Sequence, residues 1–289
     1  MFELNKTAAI VIWYNPKEKD VDSIKTYNSF FKQIFIVDNS ETDNSVLAAD
    51  ISNAVYIPNK SNLGIAAALN TGCKKAIEND FTWVMTMDQD SSWDKSQLEA
   101  YLKLISETSD DTIKSFAPVH RNELKSVVGD IKYLTEKAPE SPIIFQHKVM
   151  ASGNIINLDV WKKVEGFNED LFIDEVDHEF CYKLIQAGYK ICEFQNVIMI
   201  HTLGAVKKTI LPRPCKHSGI RLYYIFRNML YIKKHFPNEY KSNGYKKYMV
   251  LAVIQKTFEF RFKDLKFINQ GIKAYKNNNF GVYKCNSPS

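Results

Sequence analysis

The run Val84-Met85-Thr86-Met87-Asp88-Gln89-Asp90-Ser91 closes an apolar stretch with two carboxylates one residue apart. In an extended strand alternate side chains leave the same face, so Asp88 and Asp90 are expected to point together beyond the strand end. Hard divalent cations take oxygen ligands, and Mg2+ binds through one or two carboxylates completed by substrate phosphates. The pair therefore suggests chemistry on a diphosphate. An Asp-x-Asp after a strand also serves as a helix cap or a turn, and that reading stands beside the first.

A second cluster is Phe172-Ile173-Asp174-Glu175-Val176-Asp177. The spacing of Asp177, Cys181 and Leu184 predicts a helix beginning near Asp174, with the acids in its first turn. Charge–dipole stabilisation of about 0.3–1 kcal/mol per acid favours carboxylates there. It does not explain three within four residues, which repel one another unless a cation or a proton-transfer role compensates them. Asp174, Glu175 and Asp177 are accordingly the candidates for a general base. His201 ends the strand-like run Val197-Ile198-Met199-Ile200 and is a candidate ligand, although a lone histidine after a strand is commonly structural.

The elements that position these groups are readable from periodicity. Apolar, β-rich runs lie at Thr7–Trp13, Ile34–Val37, Val55–Ile57 and Trp83–Met87, with helix-like segments between them. That alternation indicates a mainly parallel, twisted sheet flanked by helices, whose ligands gather at the carboxyl ends of the strands. Tyr14-Asn15-Pro16, Asp38-Asn39-Ser40 and Asp88-Gln89-Asp90 end three of the runs and form one candidate rim. Asn62-Leu63-Gly64 opens a small-residue helix that can lie close to the sheet, with Asn62 as cap and the first-turn amides available to a phosphate or sugar. Residues 120–148 read as an insertion or irregular excursion. Farther on, Arg221, Tyr224 and Asn228 share a helix face that either meets a diphosphate or anchors the C-terminal region to the catalytic domain.

The chain has 289 residues, 45% hydrophobic and 25% charged, enough for a sizeable core. Five scattered cysteines without Cys-x-x-Cys spacing argue against a disulfide framework or a zinc site and for reduced thiols. No apolar run approaches membrane-spanning length, and the first residues lack the pattern of a secretion signal, so a cytoplasmic location is expected. Charge is unevenly spread. Residues 203–289 hold 18 Lys and Arg against three acids, a balance of +15, whereas residues 1–202 hold 20 against 30. Interleaved aromatics in Tyr245-Lys246-Lys247-Tyr248 and Phe258-Glu259-Phe260-Arg261-Phe262-Lys263 make the basic region a partner for an anionic membrane surface or nucleic acid, or simply a helical appendage with a solvated basic face.

In this order the motifs Ile12-Trp13-Tyr14-Asn15-Pro16, Ile36-Val37-Asp38-Asn39-Ser40, Asn62-Leu63-Gly64 with Asn70-Thr71-Gly72, Met87-Asp88-Gln89-Asp90-Ser91, Ser152-Gly153, Gly166-Phe167, Phe172-Ile173-Asp174-Glu175-Val176-Asp177, His201-Thr202-Leu203-Gly204 and Tyr223-Tyr224-Ile225-Phe226-Arg227-Asn228 resemble the inverting glycosyltransferases of family 2 with the GT-A fold. The likeness is greatest to the bacterial rhamnosyltransferase-like branch that builds surface polysaccharides. It implies an α/β GT-A catalytic domain over 1–205, with a Rossmann-like nucleotide-sugar half over about 1–118 and an acceptor half over about 119–205. The remainder, 206–289, is expected to be a basic, mostly helical extension.

Carried over residue by residue, the resemblance implies a donor site of Trp13, Tyr14, Asn15, Asp38, Asn62, Gly64, Asp88, Gln89, Arg221 and Arg227. In it Tyr14 and Asn15 lie at the base and ribose, and Asp38 on the pyrimidine. It implies Mg2+ or Mn2+ at Asp88, Asp90 and His201, an acceptor contact at Ser152 and Gly153, and the base within Asp174, Glu175 and Asp177. Glu175 stands where the family commonly has the base Asp. The implied donor is a dTDP- or UDP-linked sugar, with rhamnose a candidate, and the acceptor a saccharide or polyprenyl-linked saccharide. The enzyme is expected to be peripheral on the inner face of the cell membrane, with oligomerisation open and nucleic acid disfavoured. The processive element of the family is absent, so one sugar is expected per encounter. The rival readings are a sugar nucleotidyltransferase, for which Tyr14-Asn15-Pro16-Lys17-Glu18 is not the required glycine-rich phosphate loop, and a non-catalytic membrane or nucleic-acid adaptor.

Overall fold

The structure is a computed structural model that describes residues 2–121, 142–201 and 217–284, with the side chains of Arg121 and His201 outside the description. The expected insertion over 120–148 therefore lies largely outside the described residues, as do Thr202-Leu203-Gly204, Cys215 and Cys285.

The four apolar runs build the parallel half of one sheet. β1 (Thr7–Trp13) lies between β2 (Ile34–Asp38) and β4 (Trp83–Asp88), parallel to both, and β3 (Ala54–Pro58) adds beyond β2. Every residue of β1 and β2 is buried, as continuous apolar strands covered on both faces must be. Alternation then sorts them: Ala8, Ile10 and Ile12 enter one core layer, and Ala9, Val11 and Trp13 the other. The first layer is covered by α3 (Ile65–Glu78), α5 (Leu158–Lys163) and α6 (Val176–Gln186), the second by α1 (Glu18–Lys25) and α4 (Lys95–Glu107). A short α2 (Ser45–Ala48) closes the edge near β3. The small residues of α3 have the expected purpose, since a Cβ at Gly72 would collide with Ile10 on β1.

Beyond β4 the sheet is mixed. β8 (Asn154–Asn157) runs antiparallel to β4 and to β6 (Ile113–Arg121), and β9 (Lys190–His201) runs parallel to β6. Two very short strands, β5 (Ser91–Ser92) and β7 (Ile143–Phe145), pair antiparallel with β9. The described order is β3-β2-β1-β4-β8-β6-β9-β5, with β7 on β9. The parallel expectation thus holds for the nucleotide half, where the strands are continuous and apolar. It gives way beyond β4, where β8 and the two very short strands β5 and β7 run against their neighbours, although the long β6 and β9 stay parallel to each other.

Among the described residues the basic region folds as four helices: α7 (Ile220–His235), α8 (Pro237–Ser242), α9 (Tyr245–Phe258) and α10 (Phe262–Lys276). α10 lies so close along α7 that a Cβ at Gly271 would strike the Tyr223 backbone. α7 is bonded into the sheet domain by two adjacent, fully buried polar residues. Arg227 donates to the carbonyls of Asp170 (3.0 Å), Leu171 (2.9 Å) and Gly281 (2.7 Å), and packs against the rings of Tyr223, Tyr224 and Phe280. Asn228 donates to the carbonyls of Leu171, Ile173 and Asp174 at 2.8–3.0 Å. Replacing Arg227 by Met keeps apolar volume but orphans the Gly281 carbonyl and takes a charged donor from those of Asp170 and Leu171, which keep the Gly281 amide and Asn228. The expected loss is about 3 kcal/mol of unfolding free energy, read as a lowered urea midpoint at unchanged slope.

Candidate active site

The carboxyl ends of β1 and β4, the start of α3 and the start of α6 enclose a cleft of about 730 Å3. Tyr14, Asn62, Gly64, Asp88, Gln89, Asp90, Asp174, Glu175, Asp177 and Arg221 are among the residues that line it. Ten of the residues singled out by sequence are therefore gathered around one space.

The floor is built first. β4 ends at Asp88, residues 89 and 90 form a turn, and Ser91 pairs with β9 at the register position of His201. A turn, and not strand alternation, is what brings both aspartates to the cleft. The turn is held by Ser152, whose Oγ accepts from the Asp88 amide (3.1 Å) and donates to Ser91 Oγ (2.8 Å). Gln89 Oε1 accepts from the Tyr14 amide at 2.7 Å, joining the ends of β1 and β4. Asp88 and Asp90 offer hard carboxylate oxygens, a donor set that suits Mg2+ or Mn2+ when substrate phosphates complete the shell. Among the described residues there is no group of three or more His, Cys, Asp or Glu placed to hold a metal ion. The His201 side chain lies outside the described residues.

The α3 entrance is locked to the acidic loop. Gly64 has φ +87°, and a Cβ there would lie 2.5–2.6 Å from Phe172 atoms, so glycine is required on both counts. Its amide donates to Asn62 Oδ1 (3.0 Å), and the Ile65 amide donates to the Phe172 carbonyl (2.8 Å). Phe172 in turn stacks on Tyr224, with centroids 5.0 Å apart.

α6 begins at Val176, two residues later than the spacing predicted, and Asp174 and Glu175 precede it with φ of +63° and +64°. Phe172 is left-handed as well (φ +64°). Three such non-glycine residues in one loop are costly and persist only where neighbours hold them; here the holders are the carbonyl bonds from Arg227 and Asn228. The face shared by Arg221, Tyr224 and Asn228 is thus an anchor of α7 on the acidic loop, and its Arg221 also reaches the cleft.

The crowding of carboxylates is resolved by separate partners. Asp174 is gripped by Arg221, whose Nη2 lies 2.9 Å from Oδ1 and whose Nε reaches both oxygens. Burial still pushes the Asp174 carboxyl above its ordinary range. Glu175 Oε2 accepts from the Tyr245 hydroxyl at 2.6 Å and lies 3.1 Å from His178 Nδ1. Burial raises Glu175, but the bond and charge of His178, with Tyr245 and Lys148, outweigh it and hold the carboxyl below its usual value. His178 feels the opposite pull. Burial lowers it, while Asp177 and Glu175 more than compensate and raise it. Asp177 Oδ1 accepts from the His178 amide at 2.9 Å.

Linkage gives this pair a pH signature. Raised His178 contributes stability that is complete below 6.5 and lost as pH rises through its folded value, whereas depressed Glu175 contributes stability that is complete above 4.5 and lost as pH falls through its own. Melting temperatures recorded from about pH 5 to pH 9 are expected to decline on the alkaline side in the native chain, and to decline less in His178→Asn. Tyr245→Phe removes one donor from a buried carboxylate. The expected cost is about 1–2 kcal/mol by denaturant titration.

Several implied residues sit elsewhere. Trp13 is fully buried in the core layer below the sheet, near Tyr56; as the last inward position of β1 it cannot face a donor. Arg227 is the buried clamp between α7 and the sheet domain. Asp38 is buried, its carboxylate accepting from the Ser40 amide and hydroxyl, Asn44 and Tyr56, so it shapes the 38–44 loop while Asn39 faces the cleft. Asn15 is exposed beside the cleft, its amide on Ser40 Oγ. Ser152 is buried under the turn, and Gly153 donates to the Thr86 carbonyl against Met199 and Pro118; Met150 and Ala151 line the cleft in their place. Sequence reading did not assign His178, Tyr245 and Tyr248 to the site. The available signal was the three-residue spacing of Tyr245 and Tyr248, which puts both on one helix face.

The family model for Glycosyl transferase family 2 matches residues 18–172, more than half of the chain. The chain belongs to that family. The match takes in Asp38, the Gly64 loop and the Asp88–Asp90 turn and stops just before the acidic loop. This family 2 glycosyltransferase is also 30% identical over 248 residues to the dTDP-rhamnosyl transferase RfbF of Shigella flexneri, covering 79% of this chain and 81% of that one. That longer match takes the likeness beyond the family segment and makes this a rhamnosyltransferase-like member. A crystal structure of GalNAc-T7 with UDP, GalNAc and Mn2+ superposes with TM-score 0.57 at 14% identity, covering 82% of this chain and 49% of that one. The chain thus spans about half of that neighbour's length, and the likeness establishes the GT-A fold alone. As a family 2 glycosyltransferase the protein is an enzyme, which sets aside the adaptor and nucleotidyltransferase readings.

Proposed function

We propose that this chain moves one sugar from a nucleoside-diphosphate donor to a saccharide acceptor in a single inverting displacement, and that the donor is dTDP-rhamnose. The observation that carries the reading is the gathering of two acidic sets in the lining of one cleft: Asp88 and Asp90 from the turn after β4, and Asp174, Glu175 and Asp177 from the start of α6. The first set suits Mg2+ or Mn2+, with His201 at the neighbouring register position, and the chemistry such a cation supplies when bound is neutralisation of charge on the departing diphosphate. Tyr14, Asn39, Asn62 and Gly64 shape the donor end of the cleft, and Gln89 keeps the two strand ends together.

Glu175 is the base in this reading. Both described hydrogen bonds to its carboxylate fall on Oε2, which aims the group and leaves Oε1 to accept the acceptor hydroxyl's proton. Its depressed pKa keeps it ionised at neutral pH. As the proton passes to Oε1, the acceptor oxygen bonds the anomeric carbon and the nucleoside diphosphate leaves with the bonding pair. Asp174, neutralised by Arg221, fixes the wall beside it. The acceptor is inferred to be a lipid-linked saccharide of cell-surface polysaccharide synthesis, met at the inner face of the membrane; among the described residues no helix is long and apolar enough to cross one.

A panel of nucleotide sugars tests the donor by thermal stabilisation with and without Mn2+ or Mg2+. The expected result is a metal-dependent rise with dTDP-rhamnose. A greater rise with a UDP-hexose changes the sugar and not the reaction, whereas no response to any member defeats the reading.

A further inference from the structure

Helix α9 is apolar on both sides. Its inner side buries Tyr245 and Ala252, and its outer side exposes Val250, Leu251 and Ile254 and ends in Phe258. Phe260 and Phe262 continue that surface into α10, and the three phenylalanines are 80%, 78% and 66% exposed. Between Tyr248 and Ile254 the helix is apolar all round, a pattern that belongs in an interior or against lipid, and its 14 residues reach only about 21 Å, too short to span a bilayer. A contiguous apolar surface of this kind marks an interaction site.

Charge decides between the occupants. Exposed Lys246 and Lys247 stand at one end of the patch and exposed Lys263 at the other, where the part-buried Arg261 is paired with Asp264. Glu259 is the one acid from 245 to 263, and it is bonded to Gln255 and near Lys256. A second copy using the same face about a twofold axis would set these cations against one another. An anionic lipid surface attracts all of them.

We propose that α9 lies along an anionic bilayer leaflet, with Phe258, Phe260 and Phe262 seated at the boundary of headgroups and acyl chains. The opposite side of the same helix delivers the Tyr245 hydroxyl to Glu175 and places Tyr248 in the cleft wall. One helix diameter, about 10 Å, therefore separates the acidic loop from the bilayer. The contact brings the cleft to the level of a saccharide whose lipid is in the membrane, a purpose that rests on the proposed function although the contact itself does not.

The test is co-sedimentation of the full chain with phosphatidylcholine vesicles containing phosphatidylglycerol, against vesicles of phosphatidylcholine alone. Partition to the anionic vesicles is expected. It should weaken roughly a hundredfold in Phe258→Ser/Phe260→Ser/Phe262→Ser, and roughly tenfold in Lys246→Glu/Lys247→Glu. The two variants remove different forces, so misfolding of one leaves the other informative. Equal binding to both vesicle types, equal binding by native chain and charge variant, or a lipid-free dimer dissolved by the phenylalanine substitutions would each overturn the proposal. Metal-dependent nucleotide binding, measured on the same preparations, reports separately on the proposed function.

Discussion

Asp90→Ala is expected to abolish divalent-dependent binding of a nucleoside diphosphate and to lower sugar transfer by about a thousandfold or more. The size reflects the donor set of the turn. In the proposed site two carboxylates face the cation, so removing one halves the anionic charge available to it, and the diphosphate loses its counter-charge where negative charge builds up. The fold should survive, because the turn is held through the Asp88 amide, Ser152 and Ser91. Calorimetry with dTDP and Mn2+, beside circular dichroism of both proteins, makes the comparison. Undiminished metal-dependent binding in the variant would remove Asp90 from the site.

Glu175→Gln should reduce turnover by about 10²–10⁴-fold while leaving nucleotide binding near the native level. The amide is nearly isosteric, and its oxygen can still accept from Tyr245, so the loop is retained while the proton acceptor is gone. Asp174→Asn and Asp177→Asn discriminate the alternatives. Asp174 has both oxygens committed to Arg221, and Asp177 caps the His178 amide; losses from these changes should be smaller and accompanied by lower melting temperatures. A larger turnover loss in Asp177→Asn, with stability intact, would transfer the role of base to Asp177.

These two experiments address residues visible in the sequence, but the expected magnitudes depend on contacts that were not. Tyr245 lies 70 positions from Glu175, and the aromatic–basic run containing it reads by composition as a surface. In the folded chain that run has two sides, one completing the acidic site and the other exposed. Trp13, Ser152, Gly153 and Arg227 show the converse. Their motifs place them near a donor or acceptor, yet burial turns them into core, floor and clamp. A motif records proximity along the chain to functional residues, and which member faces the cleft depends on strand pleat and on the packing of the next layer.

What the sequence determined by itself is the set of local periods and their punctuation. These comprise four continuous apolar strands in parallel order, a helix of small residues laid on β1, and acidic clusters at the end of β4 and the start of α6. They arise from interactions within a few residues, which side-chain spacing reports directly. The tertiary structure decided the rest: the reversal that aims Asp88 and Asp90, the left-handed loop that delays α6, and the partner assigned to each carboxylate. Those outcomes rest on hydrogen bonds and ion pairs between distant segments, whose strength depends on burial and mutual geometry. Neither quantity exists until the layers have come together.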